Sequence, residues 1–205
     1  MSALAFGALC VSSLFTVVDP IGVAPVFASM TARADARSRR RAALRACLTA
    51  LVVLAVFAIS GSALLRLFGV TIEAFRIAGG ILFGMLGLTM LQGGGGHAAL
   101  SDDDGDPSIV PLGVPLIGGP GAMTTVMVLM GQAETGWHVA MLASAVLVVL
   151  ALTWIVLAAA PALLSRFGAA GVALTTRVMG LVVLVIGVQF VIDGVVPVVR
   201  GMLAA

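Results

Sequence analysis

Six apolar runs divide the chain, at about residues 3–31, 44–67, 72–92, 108–131, 138–165 and 173–198. Each reaches or exceeds the ~20 residues an α-helix needs to cross ~30 Å of hydrocarbon. The pattern predicts an all-α membrane protein with six transmembrane helices. Two runs carry breaks. The first is interrupted at Asp19–Gly22, within VVDPIGVAP, and the fourth by GGPG at 118–121. A charge at a bilayer centre costs roughly 2.5–3.5 kcal/mol on insertion scales. Proline removes a backbone donor and interrupts the helical ladder. Both breaks therefore call for a purpose.

Composition agrees with the pattern. Hydrophobic residues make up 61% of the 205 positions and charged residues 10%, against about 25% charged in soluble domains. One membrane domain, 1–205, fills the chain. It is read as repeat one at 1–92, a linker at 93–107 and repeat two at 108–205. All 11 basic residues are arginine, which suggests a bacterial genome rich in G and C. No basic tail marks a nucleic-acid partner. Residues 1–18 lack a basic n-region and read as the first half of a retained helix, not a cleaved signal.

Charge placement gives an orientation. Residues 33–45 hold six arginines against Asp35. Residues 93–107 are glycine-rich, then acidic. With six spans these two loops and the one near 166–177 share a side, which then carries eight arginines against three (Arg66, Arg76, Arg200). The positive-inside rule places that side in the cytoplasm and both termini outside. DDDGD at 102–106 begins like a calcium loop, but from Asp102 position 6 is Pro107 and position 12 is Gly113, so the register fails. Cys10 and Cys47 are isolated and read as small buried side chains. His97 and His138 are isolated too and read as loop residues. No metal or cofactor is expected.

The halves repeat each other. LLRLFG at 64–69 parallels LLSRFG at 163–168, and FRIAGGILFGMLGLTML at 75–91 parallels TRVMGLVVLVIGVQFVI at 176–192. DPIG at 19–22 parallels GPGA at 119–122, with Pro20 and Pro120 one hundred residues apart. Three spans per half is an odd number, so the second half enters from the opposite side. A 3+3 inverted-topology repeat with paired breaks near the midplane is the pattern of secondary transporters. Unwound backbone at that depth survives only inside protein or along a wet cavity. Asp19 can meet an ammonium group, take a proton, or simply cap a half-helix that starts at Pro20.

At these residues the chain resembles the MarC family of bacterial inner-membrane proteins. The carriers are DPIG with APVF at 19–27, FRIAGGIL at 75–82, IVPLGVPLIGGPGAMTT at 109–125 and TRVMGLVVLVIGVQFVIDG at 176–194. The family is similar to small neutral amino acid transporters and is grouped with amino-acid exporters of the LysE type. The resemblance implies a substrate site of Asp19, Pro20 and Gly22 with Gly118, Gly119, Pro120 and Gly121. Thr124 and Thr125 would add hydroxyl donors, unless they bond backbone carbonyls of their own helix. Many members read D-P-x-G-N where this chain has Val23; if that Asn helps bind substrate or hold the break, specificity differs here.

Other polar residues have two readings each. Glu73 and Arg76 form a local ion pair or a gate contact; Arg177 snorkels or gates. Gln189 can bond across helices, and Asp193 reads as interfacial. Asp19 is the first candidate for coupling, ahead of Glu73 and Asp193. Gly80 and Gly84 mark tight packing, within a protomer or between protomers of a homo-oligomer. Trp137 and Trp154 are expected to mark the two interfaces. The resulting expectation is a transporter of glycine- or alanine-like amino acids, not an enzyme, with proton coupling and export favoured. The alternatives are a membrane scaffold or stress-related protein, and a channel.

Overall fold

The arginines at 37–45 are helical and do not form a loop. In the computed structural model, which describes residues 2–31, 34–92, 117–164 and 168–203, α3 runs Ala36–Leu67. It starts well before its apolar stretch because Asp35 caps it: the carboxylate accepts the N–H groups of Arg37 and Ser38 at 3.0 and 3.3 Å. The Ser38 hydroxyl, and after it these backbone bonds, favour the charged carboxylate and hold its pKa below the usual range. The cap is therefore complete above that range and weakens as pH falls through the lowered value. Asp35→Ala is expected to speed amide hydrogen exchange at Arg37 and Ser38 while leaving exchange in the second half of α3 unchanged.

The other helices are α1 (Ala3–Val18), α2 (Pro20–Met30), α4 (Ile72–Leu91), α5 (Pro120–Gly131), α6 (Gly136–Leu164) and α7 (Gly168–Leu203). Short polar side chains start two of them. Ser2 accepts the Ala5 N–H at 3.3 Å and Thr71 accepts the Ala74 N–H at 3.1 Å. Gly69, at φ +64°, makes the tight turn between α3 and α4. Five stretches among the described residues are long and apolar enough to cross a membrane: Ala3–Ala28, Ala36–Leu67, Ile72–Leu91, Gly136–Ala160 and Thr176–Leu203. The protein is a multi-pass integral membrane protein. α5 is the shorter apolar helix; the first part of its predicted run, 108–116, lies outside the described residues. So do Arg33, His97, the linker at 93–107 and Arg166.

The core is lined on α1 by Phe6, Cys10, Leu14 and Val18, four residues apart and all buried, as one helical face requires. α1 and α2 pack on α6; α2 also packs on α7, and α5 on α3 and α4. The closest pair is α4 with α7. A methyl at Gly80 would lie 2.5 Å from the Gly187 carbonyl oxygen; at Gly87 it would lie 2.7 Å from that of Gly180; at Gly194 it would lie 2.7 Å from that of Glu73. The matched levels run in opposite directions, so the helices are antiparallel and touch backbone to backbone once every seven residues. The Gly80–Gly84 reading is thereby refined. Gly80 and Gly84 pack within the protomer, where a methyl at Gly187 would lie 2.7 Å from the Gly80 carbonyl oxygen and 2.6 Å from the Gly84 nitrogen, and Gly87 extends the seam; a methyl at Gly84 itself would meet only Leu184, at 3.9 Å.

One sequence expectation changes. His138 is not in a loop: it sits in the first turn of α6, buried, with its ring 4.8 Å from that of Phe6. Its Nδ1 accepts the Glu134 N–H at 3.3 Å. The α6 start is pinned to α1 by this ring contact, which no short motif signals. Trp137 and Trp154 are both exposed on α6, as lipid-facing residues would be.

Candidate functional site

Asp19 stands between α1 and α2 at φ 44° and ψ 68°, the left-handed region. Three local bonds hold it there. Its N–H donates to the Phe15 carbonyl at 3.0 Å, closing α1. Its carbonyl accepts from Val23 at 3.1 Å, opening α2. Its carboxylate Oδ1 accepts the Gly22 N–H, also at 3.1 Å. Pro20, buried, fills the first helical position, where a missing N–H costs nothing. Gly22 is glycine for space: a methyl there would collide with Asp19 Oδ2. DPIG is thus one interlocked unit, and the helix-cap role of Asp19 is realised.

The junction faces the middle of the α4–α7 pair. Asp19, Gly22 and Val23 line a cavity of about 30 Å³ with Phe83 of α4 and Val183 and Ile186 of α7. That is room for one or two waters. Phe83 lies near the centre of the 20-residue α4, between the Gly80 and Gly87 contacts. The carboxylate therefore sits at the mid-height of an apolar helix about 30 Å long.

The second break docks beside it. Gly118, Gly119, Pro120 and Gly121 are all buried. Pro120 rests on Gly79 of α4, where any side chain would strike its ring. A methyl at Gly121 would meet Val17 at 2.8 Å and the Phe190 ring, so the two breaks abut at Val17 and Gly121. α5 begins with Gly119 at the cap and no side-chain capping bond. The amides of Gly121 and Ala122 consequently lack an acceptor within the helix. The two breaks do not share the cavity, which none of residues 118–121 lines.

The remaining candidates separate into groups. Thr124 and Thr125 both donate to the Gly121 carbonyl, at 2.9 and 2.8 Å, so their hydroxyls are engaged within α5. Glu73 and Arg76 are half-buried in the first turns of α4, and make no ion pair with each other. Arg76 is seven residues from Phe83, about 10 Å along the helix. Arg177 is exposed toward the opposite end of the pair. Gln189 donates to Asp193 at 2.7 Å on an exposed face of α7, a bond within one helix instead of across two. None of these four ionisable residues lines the cavity at Asp19. Sequence reasoning missed Val17, Gly79, Phe83 and Phe190. Their role is contact across helices, and only the doubled glycine at 79–80 hinted at it.

Comparison with known proteins places this sequence in a family. The model of the MarC family integral membrane protein matches residues 4–199. A UPF0056 membrane protein of Methanocaldococcus jannaschii is 34% identical over 195 residues, covering 91% of this chain and 94% of its own. The UPF0056 membrane protein YhcE of Escherichia coli is 32% identical over 201 residues, covering 93% and 92%. One from Aquifex aeolicus is 35% identical over 201 residues, covering 92% and 93%. No solved structure matches. With the match running almost end to end, the chain belongs to the MarC family of integral membrane proteins.

Proposed function

We propose that this protein is a secondary transporter of small neutral amino acids such as glycine and alanine, working by alternating access. The observation that carries the reading is Asp19, a carboxylate held at mid-height of the α4–α7 pair, on a helix that meets the start of α5, with its uncapped amides, at Val17 and Gly121. A zwitterion has the complementary ends. Its carboxylate would face the amides of Gly121 and Ala122, at the positive end of a helix dipole. Its ammonium would face Asp19. The cavity beside Asp19, about 30 Å³, favours a substrate with little side chain.

The packing supports an inverted repeat. α2 packs on α6 and α7 as α5 packs on α3 and α4, which is the exchange that swapping the halves requires. α4 and α7, third in their halves, run antiparallel, as that symmetry also requires. On this reading the breaks flank the symmetry axis, and the first and fourth spans are discontinuous near the midplane. The cavity takes one or two waters, so the form described is closed and the breaks must part to admit substrate. The reading includes the bacterial inner membrane, both termini outside, export as the favoured direction, and protonation of Asp19 as the coupling step.

Radiolabelled glycine and alanine counterflow in proteoliposomes tests it. Wild type is expected to exchange both. Asp19→Asn is expected to keep the fold and to lose exchange, or to lose its pH dependence. Absence of counterflow in folded wild-type protein would overturn the substrate assignment. Equal transport by both proteins would reduce Asp19 to a helix cap.

A further inference from the structure

We propose a seat for an anionic phospholipid on the outer face of α3, separate from the site at Asp19 and independent of its function. Residues 37, 41, 44, 48, 51, 55 and 58 follow alternating steps of four and three and so form one stripe along the helix. Its head is charged: Arg37 and Arg41 are exposed, and the acid beside them in the chain, Asp35, is occupied in capping α3. Below them Leu44 and Leu48 are exposed at 45% and 51%, which is unremarkable only against lipid.

The stripe then enters a groove. Leu51, Ala55 and Ala58 of α3 form one wall, and Leu142, Ala143 and Val146 of α6 the other, around a space of about 300 Å³. Every residue lining it is apolar. From Leu44 to Ala55 is about 16 Å at 1.5 Å per residue. One leaflet of a ~30 Å hydrocarbon core is about 15 Å deep. A lipid whose phosphate meets Arg37 and Arg41 therefore brings the far end of an acyl chain into the groove. Guanidinium forks suit a phosphodiester. The small side chains at 55, 58 and 143 leave room for the chain. Charge at the top and an aliphatic slot at the right depth below select an anionic lipid over a zwitterionic one.

Native mass spectrometry of the purified full-length protein, titrated with dioleoyl phosphatidylglycerol or dioleoyl phosphatidylcholine, tests the seat. Wild type is expected to prefer phosphatidylglycerol. Arg37→Gln with Arg41→Gln should cut that preference on the order of tenfold or more, since each basic residue near an anionic surface contributes roughly fivefold. Arg39→Gln with Arg45→Gln removes the same charge off the stripe and should change it far less. Ala58→Phe fills the groove and should weaken retention of both lipids. Equal effects of the two arginine pairs would show diffuse charge attraction and overturn the seat. So would lipid retention unchanged in Ala58→Phe, or a dimer that this substitution disrupts, which would make a second copy the occupant.

Discussion

Gly87→Ala and Gly187→Ala are each expected to destabilise the protein by about 3 kcal/mol, the upper end for overpacking. The obstacle in both cases is backbone. A methyl at Gly87 would lie 2.5 Å from the Leu184 nitrogen, and one at Gly187 would lie 2.6 Å from the Gly84 nitrogen. A flexible side chain could swing aside; a helix backbone cannot, so the whole α4–α7 pair must spread. Gly84→Ala is the internal control. Its methyl would meet only Leu184, at an ordinary 3.9 Å, and alanine gains up to about 1 kcal/mol of helix propensity over glycine. That variant should match or exceed wild type. Thermal unfolding in detergent separates the cases. If Gly87→Ala melts with Gly84→Ala, the backbone seam is not what holds the helices together.

The second large effect falls on the α1–α2 junction, where three substitutions of two residues should differ in order. Asp19→Ala puts a Cβ-bearing residue without a polar side chain at φ 44° and removes the bond to Gly22. The left-handed conformation costs roughly 1–2 kcal/mol and the lost cap about 1 kcal/mol, together about 2–3 kcal/mol. Asp19→Asn keeps the capping oxygen and tolerates the left-handed region, so its melting temperature should stay near wild type. Gly22→Ala should destabilise although Gly22 itself has ordinary helical geometry, because its methyl would displace the Asp19 carboxylate. The double variant Asp19→Gly with Gly22→Ala removes that clash and should recover part of the loss. Strict additivity of those two changes in unfolding measurements would disprove the interlock.

These predictions also separate stability from function. Asp19→Asn is expected to fold and, on the proposed reading, not to exchange substrate. The glycine-seam variants should lower stability first. A transport defect in Gly84→Ala, which is spared structurally, would instead implicate motion of α4 against α7.

How much was legible beforehand follows from where each cause lies. The membrane class, the long apolar spans and the junction at DPIG could be read directly, because hydrophobic length and proline chemistry are local. So could the capping alternative for Asp19, since its bonds run only to Phe15, Gly22 and Val23. Other features depended on what lies across the core. Gly80 and Gly84 read as a pair because spacing by four is a known motif. Only the level of Gly187 and Gly180 on α7 decided that Gly80 and Gly84 both pack on α7 and that Gly87 joins them in the seam. His138 looked like an isolated loop residue until the Phe6 ring was found beside it. Thr124 and Thr125 could have faced a ligand, and the turn above them supplied the Gly121 carbonyl that both bond. The sequence by itself determined the spans, the breaks and the chemistry available at them, through burial of apolar surface and local backbone sterics. The tertiary structure decided that Asp19 faces the centre of α4 and α7 and that the DPIG and GGPG segments meet at Val17 and Gly121. Such pairings depend on how helices far apart in sequence stack in depth, which no local pattern encodes.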